Sequence, residues 1–370
     1  MINITEGKTQ ILVPESSLHD VVPSKYPVFF NPKAKRTRDI AVLACKAHAQ
    51  YEKSGVYLDA MAGVGVRGIR AAVESGYDTI YVNDSNSQAI QVAQRCAALN
   101  DISNVQFSTQ EACRFLAEHS SRGVRGDIVD VDPFGSPAPY MDCAIRATKY
   151  NGMLAMTATD LQVLGGLHNE ACQRIYGGIP LKTVYGAEIA IRLILGCLAQ
   201  IAGRLGVGVS PLYVESHMHY YRVYVKVHST STPNSIGYLA QCMSCGSRND
   251  SKHHGDCSAT KSKAGPLWID KLFDSEFVGA MIEHSSDMYK EHLQICYDEA
   301  GMPPTFYTSD EIASKIKSGP PPLKTMIPAL RDAGFVASRT SFSPTGFRTN
   351  ASITDVCDIM SDVKRACFAF

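Results

Sequence analysis

Between Val56 and Leu205 the chain alternates short β-branched or apolar runs with stretches of helical period, and this alternation limits the fold more than any other feature. Val56–Ala60, Thr79–Asn83, Val105–Ser108, Ile128–Val131 and Met153–Thr157 read as strands. Val66–Ser75, Asn86–Leu99, Glu111–His119, Pro139–Tyr150 and Lys182–Leu205 read as helices. Strands separated by helices at this spacing require crossover connections, and so a parallel, doubly wound sheet. Gly208–His217 and Tyr220–His228 then follow too closely for a crossover helix, so they form an antiparallel hairpin at the end of the sheet. The class is α/β, a mixed sheet whose last strand runs antiparallel.

At 370 residues the chain exceeds one ordinary core, so a second domain is expected. The polar, turn-rich stretch 230–237 places the boundary at 235/236, giving domains 1–235 and 236–370. Beyond it the pattern is α+β. Leu272, Phe273, Phe277, Ala280 and Met281 form one helical face, Thr308 with Glu311 a capping box, and residues 335–352 a hairpin. Pro328 implies a kink or a late start in the helix that stops at Gly334. Two helices followed by a hairpin resemble a winged helix, in which Lys324, Arg339 and Arg348 could meet phosphates; a plain helical accessory domain is the competing reading.

Thirty-six basic and thirty-six acidic residues cancel, so any nucleic-acid contact must come from local patches. One such patch is Lys33, Lys35, Arg36 and Arg38, four cations set against the dipole of a helix start, which an anionic partner explains better than solvation alone. Met1–Thr9 lacks the apolar core of a signal peptide, and Ile189–Val209 is interrupted by Arg192, Gln200 and Arg204, so no membrane span is expected. The 12 cysteines are scattered through core-like segments, which points to free thiols in a reducing, cytoplasmic setting. Cys242, Cys245, His254 and Cys257 form two knuckles at 242–257 with ligands two residues apart, a set suited to structural zinc; His253 rivals His254, and a metal-free polar loop is the alternative.

Chemistry concentrates at strand ends. The first strand runs into Gly63-Val64-Gly65-Val66-Arg67-Gly68, a G-x-G-x-x-G turn before a helix, which suits a nicotinamide or an S-adenosylmethionine cofactor equally. Asp84 ends the second strand, where a carboxylate meets ribose hydroxyls, and Glu111-Ala112 follows the third. The fourth stops at Asp132-Pro133-Phe134-Gly135, setting a carboxylate and a ring at the carboxyl edge. That turn and the antiparallel last strand favour S-adenosylmethionine, since no group is placed for hydride chemistry. By burial habits alone, Phe29 is equally well a core aromatic.

These stretches together resemble the tRNA (guanine(26)-N(2))-dimethyltransferase family, archaeal type. They are Val28-Phe29-Phe30-Asn31-Pro32, Arg38-Asp39, Asp59-Ala60, Gly65–Arg70, Asn83-Asp84, Asp130–Pro137, Thr157–Asp160, Gly265–Trp268 and Arg339–Gly346, in order along nearly the whole chain. The resemblance implies a class I S-adenosylmethionine-dependent methyltransferase domain, a family-specific C-terminal tRNA-binding domain, and one or two methyl transfers to a guanine amine in tRNA. It places Arg38, Gly65, Arg67, Asp84, Glu111 and Ala112 at the cofactor, Asp132 at catalysis, and Phe29 and Phe134 at the base. Some relatives carry Cys-x-x-Cys twice, and here His254 stands for one cysteine. An adenine-directed amino-methyltransferase and a non-catalytic zinc and RNA module are the rival readings.

Overall fold

A computed structural model describes residues 1–20, 27–51, 55–231, 235–249 and 251–368. A hairpin of β1 (Ile2–Glu6) and β2 (Thr9–Val13) precedes α1 (Lys35–Tyr51). The alternating series is β3 (Val56–Asp59), α2 (Val66–Ser75), β4 (Thr79–Asn83), α3 (Ser87–Leu99), β5 (Val105–Ser108), α4 (Ala112–Glu118), β6 (Gly126–Val131), α5 (Met141–Ala147) and β7 (Thr148–Ala158). Short helices α6 (Leu161–Leu164) and α7 (Asn169–Tyr176) lead to α8 (Gly186–Arg204), β8 (Gly208–His217) and β9 (Tyr220–His228).

The seven strands lie in the order β5-β4-β3-β6-β7-β9-β8, with β9 antiparallel to β7 and to β8. Helices cover both faces, so Leu58, Ile80, Val82, Val129, Val131, Leu154 and Val225 are all buried, which is why these strands read as continuous apolar runs. Strand order reverses between β3 and β6, and the crevice beyond their carboxyl ends is where such sheets bind ligands. The helix α8 is long and apolar enough to cross a membrane, but most of it is buried in this core.

One expected helix is cut short. α5 stops at Ala147, and Thr148 pairs with Gly126 while Lys149 reaches Asp127 at 2.7 Å. Sheet pairing thus claims residues whose local pattern continued the helix.

Past β9, β10 (Ile236–Gln241) and β11 (Ser262–Trp268) pair antiparallel around the cysteine-rich segment. Then come α9 (Ser275–His284), α10 (Asp287–Asp298), β12 (Tyr307–Thr308), α11 (Ser309–Lys315), α12 (Leu323–Asp332), β13 (Ala337–Thr340), β14 (Ser343–Thr349) and α13 (Ile353–Phe368). Thr308 caps α11 by accepting the Glu311 N–H at 3.1 Å, and Pro328 lies inside α12. The order β12-β14-β13, with α10, α11 and α12 around it, has winged-helix connectivity. Apolar packing around the large sheet continues through Phe306, with Leu267 and Trp268 pressed on α8 at Gly196, where a Cβ would come within 2.9 Å of the Leu267 backbone. A second cluster, from Tyr307 to Met360 and including Phe347 and Met326, fills the winged-helix part.

The two cores meet over a buried ion network. Arg348 on β14 bonds Glu188 of α8 at 3.1 Å and Glu299 at 2.7 Å, while Arg192 bonds Glu188 at 2.8 Å. Arg348 was expected at the surface facing phosphate; it is 2% exposed. Burial alone would raise the Glu188 carboxyl, but Arg348 and Arg192 overcome that and hold it at about 2. Its stabilisation is therefore present above its ordinary value of 4.5 and disappears as pH falls from there towards 2. Replacing Arg348 by Met leaves two buried carboxylates short of a partner and should lower unfolding free energy by about 3–5 kcal/mol in urea titrations at pH 7.

Candidate active site and metal centre

The turn after β3 brings Gly63 and Gly65 into the left-handed region, at φ 54° and 80°. A Cβ on Gly65 would lie 2.8 Å from that of Ala93, so only glycine lets the chain enter α2 this close to α3. Asp84, beyond β4, accepts the Gly63 N–H at 2.8 Å and the Asn86 N–H at 2.9 Å on separate oxygens. Glu111 caps α4 by accepting the Arg114 N–H at 3.0 Å, with Ala112 buried behind it. Gly65, Asp84, Glu111 and Ala112 therefore follow the carboxyl ends of adjacent strands β3, β4 and β5. A glycine turn open at a helix N-terminus beside a carboxylate fits the backbone approach and ribose contacts that S-adenosylmethionine requires.

Arg38 is differently engaged. Its guanidinium is buried against the N-terminal hairpin, bonded to both oxygens of Glu6 and to the Asn31 carbonyl at 3.0 Å, and it lies 4.8 Å above the Phe30 ring. Phe30, not Phe29, is the core aromatic of this pair, at 2% exposure.

At the end of β6, Gly135 takes φ 82° and its loop is tied to the end of β7. The Gly135 N–H donates to the Thr159 hydroxyl at 2.7 Å, and the Thr159 N–H donates back to the Gly135 carbonyl at 2.9 Å. Ser136, Tyr176 and Asp160 extend the support: the Ser136 hydroxyl donates to Tyr176 at 2.8 Å, and the Tyr176 hydroxyl meets Asp160 at 2.9 Å. Held this way, Phe134 is 57% exposed and meets Phe29 edge-on, with centroids 4.8 Å apart.

Asp132 and Arg67, expected to serve different ligands, are joined: Nη2 and Nε of Arg67 donate to one Asp132 oxygen at 2.9 and 3.2 Å. Burial would raise the Asp132 carboxyl, but Arg67 and then Arg222 bring it below the ordinary range. It is an ionised hydrogen-bond acceptor at neutral pH. Arg222, Thr157 and Asp130 lie near it beneath the surface; Asp130 and Thr157 begin two of the stretches that carry the resemblance, but none of the three was expected to have a role. The signal was present in Arg222, a cation inside the apolar strand Tyr220–His228.

In the second part, Cys242, Cys245, His253 and Cys257 place one ligand atom each within 4.8 Å of one another. The Cys242 and Cys257 sulfurs are 3.7 Å apart, against roughly 3.8 Å for the edge of a zinc-thiolate tetrahedron. Three thiols and an imidazole so grouped could hold a structural zinc ion. This corrects the expected ligand, His254. His253 Nδ1 lies 3.3 Å from the Cys245 sulfur, whereas the next residue projects the other way and His254 Nδ1 meets the Thr354 hydroxyl at 3.1 Å. Cys113 and Cys143 also depart from expectation, forming a disulfide between α4 and α5. After dialysis against a weak chelator, zinc content by mass spectrometry should fall well below one equivalent in His253→Ala and stay at the wild-type level in His254→Ala.

Comparison with known proteins agrees with this geometry. The family model described as N2,N2-dimethylguanosine tRNA methyltransferase matches residues 7–361. The tRNA (guanine(26)-N(2))-dimethyltransferase of Methanothermobacter thermautotrophicus is 35% identical, covering 98% of this chain and 99% of that protein. The protein of the same name from Saccharolobus islandicus is 32% identical over 98% of this chain and 99% of its own. The solved structure of Trm1 from Pyrococcus horikoshii with S-adenosyl-L-methionine superposes with a TM-score of 0.85 at 28% identity, covering 97% of this chain and all of that one. With a mixed seven-stranded sheet, a glycine cradle and a family match over almost its full length, this chain belongs to the N2,N2-dimethylguanosine tRNA methyltransferase family.

Proposed function

We infer that this chain transfers one or two methyl groups from S-adenosylmethionine to the exocyclic N2 of guanine 26 in tRNA. The family match supports the substrate and the reaction. The observation that carries the site assignment is an ionised, partly exposed Asp132 beside an exposed aromatic pair, one strand from the glycine turn.

S-adenosylmethionine supplies, when bound, a methyl group activated by a sulfonium charge. Asp84 accepts from ribose hydroxyls, Glu111 and Ala112 border the adenine side, and Gly65 lets backbone come close, while Arg38 and Arg67, engaged with Glu6 and Asp132, support the site from there. Asp132 accepts an N2–H bond of guanine and draws density towards the nitrogen, whose lone pair is otherwise delocalised into the ring. Its lowered proton affinity is no obstacle, because the nitrogen becomes cationic as it takes the methyl group and then sheds its proton far more readily than the neutral amine. Phe29 and Phe134 hold the extruded base between them, offsetting its unstacking.

Residues 1–235 then perform the transfer and 236–370 hold the tRNA. Pro320–Lys324, Arg331 and Arg339 line an open groove of about 670 Å³ along α12. Both Arg331 and Arg339 have protein partners, the Ala337 carbonyl and Glu291, so Lys324 is the groove's main candidate for phosphate. On this reading the enzyme works on tRNA in the cytoplasm, and no protein partner is called on.

Asp132→Asn should keep cofactor affinity in calorimetry while methyl transfer falls by about 10²–10⁴-fold. Nucleoside mass spectrometry should then find dimethylguanosine only with the wild type; near-normal turnover by the variant would remove Asp132 from the mechanism. For the wild type, the transfer rate should not fall until pH drops below the ordinary carboxylate range, because the Asp132 carboxyl titrates lower than usual.

A further inference from the structure

Tyr176 ends α7 fully buried, 40 residues from Ser136 and 16 from Asp160, yet its hydroxyl meets both. The Ser136 hydroxyl donates to it at 2.8 Å, and it donates in turn to the two Asp160 oxygens at 2.9 and 3.0 Å. The direction of this chain is fixed at its two ends. An ionised carboxylate only accepts, and a backbone N–H only donates. Tyr176 therefore gives its proton to Asp160 and receives one from Ser136, whose oxygen also accepts the Ala138 N–H at 3.2 Å.

The chain of hydroxyls spans the two loops at the carboxyl edge. Ser136 is two residues past Phe134 in the loop after β6, and Asp160 opens α6 after β7. The same loops are already tied by the two bonds between Gly135 and Thr159. Those bonds meet the loop after β6 at one residue, a glycine at φ 82°, and a single point of attachment leaves rotation about it unopposed. The bond from Ser136 to Tyr176 is a second attachment, away from the first, and it removes that rotation. Phe134 needs such outside support because its own ring is more than half exposed.

We propose that Tyr176 is a positioning residue for the base-holding ring Phe134: its hydroxyl, anchored on Asp160, locks Ser136 and so sets the angle at which Phe134 meets the extruded base. The assignment rests on Phe134 being one of the rings that hold the target guanine. Tyr176 acts from beneath the surface and touches no reactant. Support of this kind, from a buried residue whose own orientation is fixed by hydrogen bonds, is what keeps a binding group in its productive geometry.

Tyr176→Phe keeps the buried ring and removes only the hydroxyl, while the bonds between Gly135 and Thr159 stay in place. We expect kcat for tRNA methylation to fall roughly tenfold through lost alignment. KM for tRNA and the dissociation constant for S-adenosylmethionine should stay within about twofold. Ser136→Ala breaks the same link from its other end and should cost as much, and the two changes together no more than either alone. In a Phe134→Leu background, Tyr176→Phe should alter kcat by less than about twofold, because the ring it positions is gone. A Tyr176→Phe enzyme with wild-type kcat overturns the proposal. So does a loss that persists in full beside Phe134→Leu, since the hydroxyl would then act somewhere other than on this ring. Should Tyr176→Phe not fold, Ser136→Ala in a half-buried loop carries both readouts. Phe134→Leu by itself tells the two failures apart: normal turnover there removes Phe134 from the base site and the proposal with it, whereas slow turnover there beside a fast Tyr176→Phe overturns the positioning role alone.

Discussion

The ion pair of Arg222 with Asp130 is the constraint around which the centre of this protein is arranged. Asp59, Asp130 and Asp132 all lie at the carboxyl end of β3 or β6, two of them almost fully buried. Left to themselves they would repel one another and take up protons. Burial and the neighbouring charge of Asp130 do push the Asp59 carboxyl up. Arg222 from one side and Arg67 from the other prevent the same fate for Asp132. The cation comes from the antiparallel last pair of strands: β9 delivers Arg222 to Asp130 across β7. Removing Arg222 would leave the buried Asp130 without its cation, which is costlier than never having buried the pair.

The same logic is repeated where the winged-helix part adjoins the sheet. Arg248, three residues after Cys245, lies between the rings of Tyr185 and Tyr307, 4.6 and 4.0 Å from their centroids, and bonds Glu311 at 2.7 Å. Tyr185 belongs to the entry of α8, and Tyr307 with Glu311 to the winged-helix part. Together with Arg348 and Glu188, this makes the junction between cores a set of paired, aromatic-flanked cations. Such contacts specify one docking geometry, because a slipped arrangement would strand a charge. The apolar area between the cores supplies the driving force and the ions supply the register.

Much of the architecture was legible because strands buried on both faces give long apolar runs that few other structures use. The glycine turn, Asp84 and Asp132 could be placed because each follows such a run directly. What escaped was whatever depends on partners distant in sequence. Arg348 looked like a surface cation, and only Glu188 and Glu299, 160 and 49 residues away, reveal it as a buried tie. Ligand spacing chose His254, but the fold sets His253 against Cys245 and holds His254 against Thr354 on the distant helix α13. Composition suggested a domain limit near residue 235, whereas apolar packing about the sheet continues to Phe306. The union of Arg67 with Asp132 joins residues 65 positions apart. No local pattern carries that information.

The edge-on contact of Phe29 with Phe134 has a further consequence. If the target base enters between these rings, it must first separate them, forfeiting about 0.5–1.5 kcal/mol of aromatic contact before any stacking is regained. A free nucleoside would have to meet that opening cost from its own modest affinity. A base attached to a folded tRNA arrives with the rest of the polynucleotide already bound, at a high local concentration. On the proposed role, the resting slot would act as a turnstile that favours passengers arriving on a large carrier and disfavours small molecules by a modest energy threshold instead of a wall.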